Sequence, residues 1–270
     1  MTQNTPSRFG LVGTGWRADF FLRLAAALPD RFEVAAVATR DPAKGAAIEK
    51  AWSVPTVRNA SDLIRSYQPD FVVASVNRVA TPEVIETCVR QGTPVLAETP
   101  PALDRAAMRE LWQRLARPEL VQVAEQYPYL PKLQAFQALI AAGRLGDVTA
   151  AEVSWTHGYH AVAMLRGLLG AEFREVTVTA QGDLEGFDLD TITLGSDVLY
   201  RNPFQGARLS DEDIAIATVL DRMSDWVRGA AEPPYPLAQA CQDHLLALAI
   251  AEAAKESRPV MVGREAWATP

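Results

Sequence analysis

The chain has 270 residues, 49% of them hydrophobic and 22% charged, so it is long enough for two domains and apolar enough to bury a core in each. A formal net charge of −7 and scattered arginines exclude the basic surface typical of nucleic-acid-binding proteins. Two distant cysteines, Cys88 and Cys241, exclude a disulfide framework and predict two reduced, buried thiols.

Neither end of the chain nor its middle carries a membrane signal. Residues 1–7 are short and polar, without the apolar region of a leader peptide. No later apolar run reaches the length of a bilayer span. We therefore expect a cytoplasmic protein with no membrane partner.

Apolar runs alternate with helical patterns over the first 124 residues. The predicted strands are residues 9–12, 32–38, 56–57, 71–76, 95–97 and 121–124. The predicted helices are residues 18–28, 42–52, 63–67, 81–91 and 103–115. Strands that alternate with helices form a parallel sheet with right-handed crossovers, so residues 1–123 predict an α/β domain.

A glycine-rich loop follows the first predicted strand. It reads Gly13-Thr-Gly-Trp-Arg-Ala18 and stands between a strand and a helix, the context in which this pattern is specific. Glycines there allow a tight turn and let backbone N–H groups approach a pyrophosphate at a helix N-terminus. We therefore predict a Rossmann domain whose loop contacts a dinucleotide through Gly13, Thr14, Gly15, Trp16 and Arg17.

Polar residues after the other strands extend the predicted cofactor site. Thr39 and Arg40 follow the second strand, where an acidic residue would bind the ribose of NAD and an arginine would favour the 2′-phosphate of NADP. NADP is therefore preferred over NAD, a solvated loop residue being the alternative for Arg40. Asp41 is better explained as a helix cap. Further contacts are expected at the same sheet edge from Ser75, Val76, Asn77 and Glu98.

The pattern changes after residue 124, and residues 124–270 predict a smaller α+β domain. Its predicted helices are residues 131–142, 160–169, 211–228 and 237–255. Its predicted strands are residues 148–155, 175–180, 191–194 and 260–262. Residues 182–209 otherwise contain many turn formers with weak periodicity.

Histidines and tyrosines cluster before the helix that begins near residue 160. His160 is a candidate general acid or base, because histidine exchanges protons near neutral pH. A capping or packed histidine is the alternative. Tyr127 and Tyr159 are alternative proton donors or substrate contacts. His157 and His160 suggest no metal site, since no further ligand is spaced to complete one.

Four stretches resemble the Gfo/Idh/MocA oxidoreductases, which include glucose-fructose oxidoreductase and inositol dehydrogenase. They are Phe9-Gly-Leu-Val-Gly-Thr-Gly-Trp16, residues 70–100 with Glu98-Thr-Pro100, residues 143–170 with Gly143-Arg-Leu-Gly146, and Pro236-Leu-Ala-Gln-Ala-Cys-Gln-Asp-His244. The resemblance covers nearly the whole chain. It implies a Rossmann domain followed by a domain with an open, mostly antiparallel sheet, whose face often forms a homodimer or larger homo-oligomer. It also implies cofactor contacts from Glu98, near the nicotinamide ribose, and from Gln126.

The chain departs from the family at three ionisable positions. The family's Glu-Lys-Pro has become Glu98-Thr99-Pro100, and a threonine hydroxyl is no cationic acid near neutral pH. The aspartate four residues before the catalytic histidine is replaced by Thr156, and the histidine after the fourth strand falls near Ala80. His160 alone remains, and the second domain is shorter than usual.

The sequence therefore predicts an NAD(P)-dependent oxidoreductase that acts by hydride transfer on a small polar substrate, sugar-like or keto. The missing lysine and aspartate keep a second hypothesis open. In that alternative the protein is a catalytically degenerate regulatory or scaffold protein that binds NAD(P) or a sugar.

Overall fold

The computed structural model describes residues 5–151, 153, 158–170, 173, 176–177, 191–194, 197–204, 207 and 209–268. The chain forms two compact units. The first unit comprises Met1–Ala124 and Val219–Leu237, and the second comprises Glu125–Thr218 and Ala238–Pro270.

A six-stranded parallel sheet forms the centre of the first unit. Its strands are β1 (Ser7–Val12), β2 (Phe32–Ala38), β3 (Thr56–Val57), β4 (Phe71–Ala74), β5 (Val95–Ala97) and β6 (Val121–Val123), in the order β3-β2-β1-β4-β5-β6. Every residue of β4 is buried, as its uninterrupted apolar run predicts for a strand covered on both faces. The predicted Rossmann sheet is thus confirmed.

Helices connect the strands of the first unit, and an aspartate caps the second of them. They are α1 (Trp16–Ala27), α2 (Pro42–Trp52), α3 (Ala60–Tyr67), α4 (Thr81–Arg90) and α5 (Arg105–Arg114). The Asp41 carboxylate accepts hydrogen bonds from the backbone N of Ala43 (2.9 Å) and of Lys44 (3.2 Å), which confirms its predicted role as the cap of α2.

The strand order positions the glycine loop. β1 lies between β2 and β4. The strand order therefore reverses at β1, since β2 and β3 lie on one side of it and β4, β5 and β6 on the other. In open α/β sheets, ligands bind outside the carboxyl ends of the strands at such a reversal. The loop that follows β1 lies at this point of the fold.

A segment from far along the chain completes the first unit. The backbone N of Val123 donates to the carbonyl of Tyr235 (2.9 Å), and the Tyr235 N donates to the side chain of Gln122 (3.0 Å). Arg31 and Asp221 form an ion pair at 2.9 Å. Residues 235–236 therefore lie along strand β6, the edge strand of the sheet.

The second unit combines long helices with short antiparallel strand pairs. Its helices are α6 (Pro131–Ala141), α7 (Gly158–Leu169), α8 (Asp211–Val227) and α9 (Leu237–Glu256), although part of α8 and the first residue of α9 belong to the first unit. Its described strands are β7 (Val176–Thr177), β8 (Thr191–Leu194), β9 (Asp197–Arg201) and β10 (Met261–Val262). β7 pairs with β10 and β8 with β9, both antiparallel, which agrees with the predicted α+β fold.

Two predictions for this unit were wrong. The described part of residues 148–155, namely residues 148–151 and 153, forms no strand. Its alternating pattern rests partly on Ala150 and Ala151, whose small side chains bury little apolar area against a neighbour. Conversely, β9 lies within residues 182–209, for which turns were predicted, and pairs with β8. Of the predicted strand at residues 175–180, only β7 lies within the described residues.

No helix in the described parts of the chain is both long and apolar enough to cross a bilayer. Both cysteines are buried free thiols, as predicted. Burial raises the pKa of the Cys88 thiol to about 12 and raises that of Cys241 further, so both remain protonated near neutral pH.

Candidate active site

Gly13 is required by the fold of the glycine loop. Its φ of +119° lies in a region that side chains rarely adopt, and a β-carbon there would stand 1.9 Å from the Ser75 carbonyl oxygen. Its backbone N donates to the carbonyl of Ala38 (3.0 Å). Glycine at this position lets the end of β1 pack directly against the residue that follows β4.

Gly15 has no comparable role in the fold. It begins α1 in ordinary extended geometry (φ −80°, ψ 175°), and no side-chain cap bonds to this end of the helix among the described residues. A β-carbon at Gly15 would point into open space, with no described heavy atom beyond its chain neighbours within 4 Å. The residue therefore leaves room at an uncapped helix N-terminus, and such a terminus binds phosphate through its N–H groups.

Several predicted cofactor residues meet at the same edge of the sheet. The register sets the ends of β1, β2 and β4 side by side, so Gly13, Thr39 and Ser75 follow them together. Glu98 follows β5, and its backbone N donates to the carbonyl of Ala74 (3.0 Å). Thr14 lies half-buried within the loop itself.

Arg17 lies beside Glu98 at this edge. Its Nε stands 3.6 Å from the Glu98 Oε1, and both side chains are largely buried. The guanidinium carbon lies 4.6 Å from the ring centre of the exposed Trp16 and 4.9 Å from that of Phe20. This ion pair and these cation–π contacts hold the arginine against the first turn of α1.

The residues after β4 form the turn that begins α4. The Asn77 side-chain oxygen accepts hydrogen bonds from the backbone N of Val79 (3.1 Å) and of Ala80 (3.0 Å). Its amide thus caps a turn, while Val76 before it is half-buried. Asn77 therefore has a structural role beside the cofactor contact predicted for it.

Arg58 joins Arg40 at the ends of β2 and β3. The Arg58 guanidinium donates to the backbone carbonyl of Arg40 (3.0 Å), and both arginines are exposed. The Thr39 N bonds to the Val57 carbonyl (2.9 Å), which sets the two strand ends next to each other. A pair of guanidinium side chains suits a phosphate group.

A buried carboxylate and a histidine pair in the second unit. The Nδ1 of His160 lies 2.7 Å from the Glu125 Oε2, and the other carboxylate oxygen accepts a hydrogen bond from the Tyr127 N (3.0 Å). The Glu125 side chain is fully buried, and that of His160 is 12% exposed. An ionised Glu125 can only accept a hydrogen bond, so the proton of the pair is assigned to Nδ1, and in a neutral ring Nε2 then carries no proton.

The two tyrosines named with His160 lie against its ring. Tyr127 stacks on it, with ring centres 4.2 Å apart, and Tyr159 contacts it edge-on at 5.4 Å. Burial above all, and then the charges of Glu125 and Asp243, raise the pKa of the Tyr159 hydroxyl well above its usual value. Tyr159 therefore stays protonated near neutral pH, which makes it the weaker candidate for proton transfer.

Other polar residues of the second unit were named from the sequence. Gln126 is buried at the start of the unit. His157 and Thr156 lie outside the described residues. Among the residues that the structure describes, no group of three or more His, Cys, Asp or Glu side chains is placed to hold a metal ion.

Glu125 and Arg58 are candidate site residues that were not predicted from the sequence. Glu125 follows a buried strand directly and precedes Gln126 and Tyr127, which were both predicted to belong to the site. A carboxylate in that position indicates a partner side chain, because fully buried acidic residues are rare unless they are paired. Its partner, however, stands 35 positions further along the chain. Arg58 follows a strand in the same way as Arg40.

Comparisons with known proteins agree with the fold of the chain. Residues 7–126 match the sequence model of the family described as "Oxidoreductase family, NAD-binding Rossmann fold" (GFO_IDH_MocA). A curated relative, "Uncharacterized protein YMR315W" of Saccharomyces cerevisiae, is 28% identical over 158 residues. That match covers 57% of this chain but only 44% of the relative, less than half of its length.

Solved structures with the same fold cover almost the whole chain. The scyllo-inositol dehydrogenase of Lactobacillus casei with NAD(H) and scyllo-inositol has a TM-score of 0.71 at 14% identity, over 95% of this chain and 99% of that one. The WlbA dehydrogenase of Bordetella pertussis with NADH and UDP-GlcNAcA has a TM-score of 0.69 at 17% identity, over 98% and 100%. An oxidoreductase of Agrobacterium radiobacter with NAD⁺, L-tartaric acid and magnesium has a TM-score of 0.71 at 15% identity, over 95% and 98%.

At such identities these structures establish the fold alone, and the match to a family is confined to the first part of the chain. Residues 7–126 match the family model over its NAD-binding Rossmann fold. This part of the chain is therefore similar to the NAD-binding domain of the Gfo/Idh/MocA oxidoreductases.

Proposed function

We propose that the protein is an NAD(P)-dependent oxidoreductase that acts by hydride transfer on a small polar substrate. The buried Glu125–His160 pair carries this proposal, because it supplies a proton-transfer group in a chain without the lysine of Glu-Lys-Pro. The pair also favours an enzyme over a binding or scaffold protein, since a carboxylate that orients a histidine is typical of general acid–base sites.

The first unit supplies the residues that would hold the cofactor. The open space at Gly15 and the uncapped N–H groups of α1 fit a pyrophosphate. Thr39, Ser75 and Glu98 are proposed to line the rest of the dinucleotide at the same sheet edge. When bound, the nicotinamide accepts a hydride from the substrate or returns one to it.

His160 is proposed to exchange the proton that accompanies each hydride. In the oxidation of an alcohol, the C–H hydrogen leaves as a hydride and the O–H proton passes to the Nε2 of His160, which leaves a carbonyl. Glu125 holds the imidazole through Nδ1 and stabilises the positive charge that the ring gains. In the reverse direction, the imidazolium protonates the oxygen of the reduced carbonyl.

The ligands of the solved relatives suggest the substrate class. Scyllo-inositol, UDP-GlcNAcA and L-tartaric acid are bound in their respective structures, and all three carry hydroxyl groups. We propose a sugar-like alcohol or its keto form as substrate here. The test is spectrophotometric turnover of NADPH and NADH, or of their oxidised forms, against a panel of such compounds. Tight cofactor binding with no turnover of any compound would contradict the proposal.

Gly15→Val should weaken cofactor binding without unfolding the protein. The valine side chain would occupy the open space at the start of α1, where the phosphate is proposed to lie, so Kd for the cofactor should rise at least about tenfold, equivalent to about 1.4 kcal/mol. Calorimetric titration measures the effect. Gly263→Val, at another open glycine, is the matched control and should leave Kd unchanged. An unchanged Kd in Gly15→Val would remove the loop from the binding site.

We further propose a preference for NADP over NAD, supported by Arg40 and Arg58. Replacing both with glutamine should raise Kd for NADP about tenfold or more, since the 2′-phosphate loses two charged donors, and should change Kd for NAD little. Arg117→Gln is the control, because this exposed arginine precedes β6 at the opposite edge of the sheet. Equal losses for both cofactors, or none, would refute the preference.

A homodimer formed through the sheet of the second unit remains a prediction from the family resemblance. Light scattering on the purified chain at micromolar concentration tests it. A monomeric mass would show that this shortened unit has lost the interface that the family often uses.

A further inference from the structure

Three charged side chains of the second unit form a buried cluster, namely Arg166 of α7, Asp243 of α9 and Glu125. Asp243 of α9 pairs with Arg166 of α7, and these side chains are 0% and 9% exposed. Arg166 also donates to the side-chain oxygen of Gln239 (2.7 Å). The second carboxylate oxygen of Asp243 is buried and has no hydrogen-bond partner among the described residues. This oxygen of Asp243 can therefore bind a proton or accept a further hydrogen bond.

Tyr159 lies against both the candidate catalytic histidine and a histidine of α9. Its ring meets the ring of His160 at 5.4 Å and lies 6.1 Å from that of His244, the residue after Asp243. Its buried hydroxyl has no hydrogen-bond partner in the described part of the chain. Because the charges of Glu125 and of Asp243 both raise the pKa of this hydroxyl, the two carboxylates act on the same small region.

Among the described residues, the charged side chains of this cluster, Glu125, Asp243 and Arg166, balance when the cluster holds one more proton. Ionised Glu125 and Asp243 contribute two negative charges, and Arg166 contributes one positive charge. An unbalanced buried charge is strongly disfavoured. His160 or His244 can carry this proton as imidazolium, or Asp243 can carry it as carboxylic acid.

Asp243 titrates in the range where such an exchange is possible. Burial raises its pKa to about 7, with Glu125 adding to the rise and Arg166 opposing it. Imidazole groups ordinarily titrate in the same pH range. The other titratable groups of the cluster are Tyr159 on α7 and Cys241 and His244 on α9. Tyr159 and Cys241 stay protonated there, because burial raises their pKa values.

We propose that Asp243 is a positioning residue for proton transfer, which competes with His160 for the one exchangeable proton of the cluster. An ionised Asp243 favours the imidazolium, which is ready to donate, and a protonated Asp243 favours the neutral imidazole, which is ready to accept. This role rests on the proposed function, in which His160 exchanges a proton with the substrate.

The test is the titration of the His160 ring by NMR in the full-length protein, with the signal assigned from its loss in His160→Gln. Asp243→Asn removes a negative charge, so the His160 midpoint should move to lower pH by about 0.5–1 unit, less than the 1–3 units typical of a direct ion-pair partner. The matching limb of the kcat/KM profile should move by the same amount. Asp221→Asn, which removes a partly exposed carboxylate in the first unit, should move neither.

A second measurement needs no variant. In the wild type, the Asp243 carboxyl and the His160 ring should both titrate in two steps with shared midpoints, because coupled sites do not titrate independently. A single-step His160 titration with a midpoint that Asp243→Asn leaves unmoved would overturn the proposal. Since both titrations are read without turnover, coupling in a protein that turns over no substrate would reject the proposed function and leave the proton sharing standing.

Discussion

Replacing His160 with glutamine should lower kcat by about 10²–10⁴-fold, the usual contribution of a positioned general acid or base. A glutamine amide can still donate to the buried Glu125, so that carboxylate keeps a partner and the fold should survive. Steady-state kinetics measure the loss once a substrate from the panel is known. Kd for the cofactor should stay unchanged, because the proposed cofactor contacts of the glycine loop lie in the first unit.

Glu125→Gln tests the other half of the pair. The amide keeps the shape of the side chain but no longer stabilises a positive imidazole ring, so kcat should fall to a value between those of the wild type and His160→Gln. Tyr127→Phe is the control, since it retains the stacked ring and removes only the hydroxyl. If Tyr127→Phe lost as much activity as His160→Gln, the proton would be assigned to the tyrosine instead.

Gly13→Ala should destabilise the protein more than any of the substitutions at the other glycines or at the arginines. The new β-carbon would require a disfavoured positive φ and would meet the Ser75 carbonyl oxygen at 1.9 Å. Backbone strain and overpacking each cost about 1–3 kcal/mol, so the free energy of unfolding should fall by about 2–6 kcal/mol. Urea denaturation measures it.

Gly15→Ala is the matched comparison for stability. The same methyl group enters open space at an ordinary φ, so stability should stay the same or rise by up to about 1 kcal/mol. The two glycines of one loop thus separate into a residue that the fold needs and a residue that the ligand needs. Equal destabilisation by the two alanines would contradict this division.

The first unit was predictable because its signals are local. The buried run of β4, the Asp41 cap and the glycine loop are each recognisable from a few consecutive residues. The sequence also contains a local pattern for the hairpin of β8 and β9. Gly195-Ser196 separates the two strands in the sequence, and such a dipeptide favours a tight turn. The return of residues 219–237 to β6 had no such signal, because it depends on a pairing between Val123 and Tyr235.

The chemistry of the second unit was harder to predict from the sequence, because it depends on contacts between residues that are far apart in the chain. His160 was identified by its residue type and by the family resemblance, but what it does depends on Glu125, and no local pattern joins the two. Asp243 and Arg166 are separated by 77 positions. Burial of a carboxylate is a property of packing, and it decides whether that group is a solvated charge or a proton-exchanging one.

The most direct test of the central claim is deuterium transfer from NADPH or NADH labelled on the nicotinamide C4. The labelled cofactor is incubated with keto compounds of the sugar-like class, and the products are analysed by mass spectrometry. The proposed oxidoreductase should place one deuterium on the former carbonyl carbon, and His160→Gln should slow this transfer by the same factor as kcat. Labelled cofactor that binds tightly but transfers deuterium to no compound, or transfer that is unaffected in His160→Gln, would contradict the account.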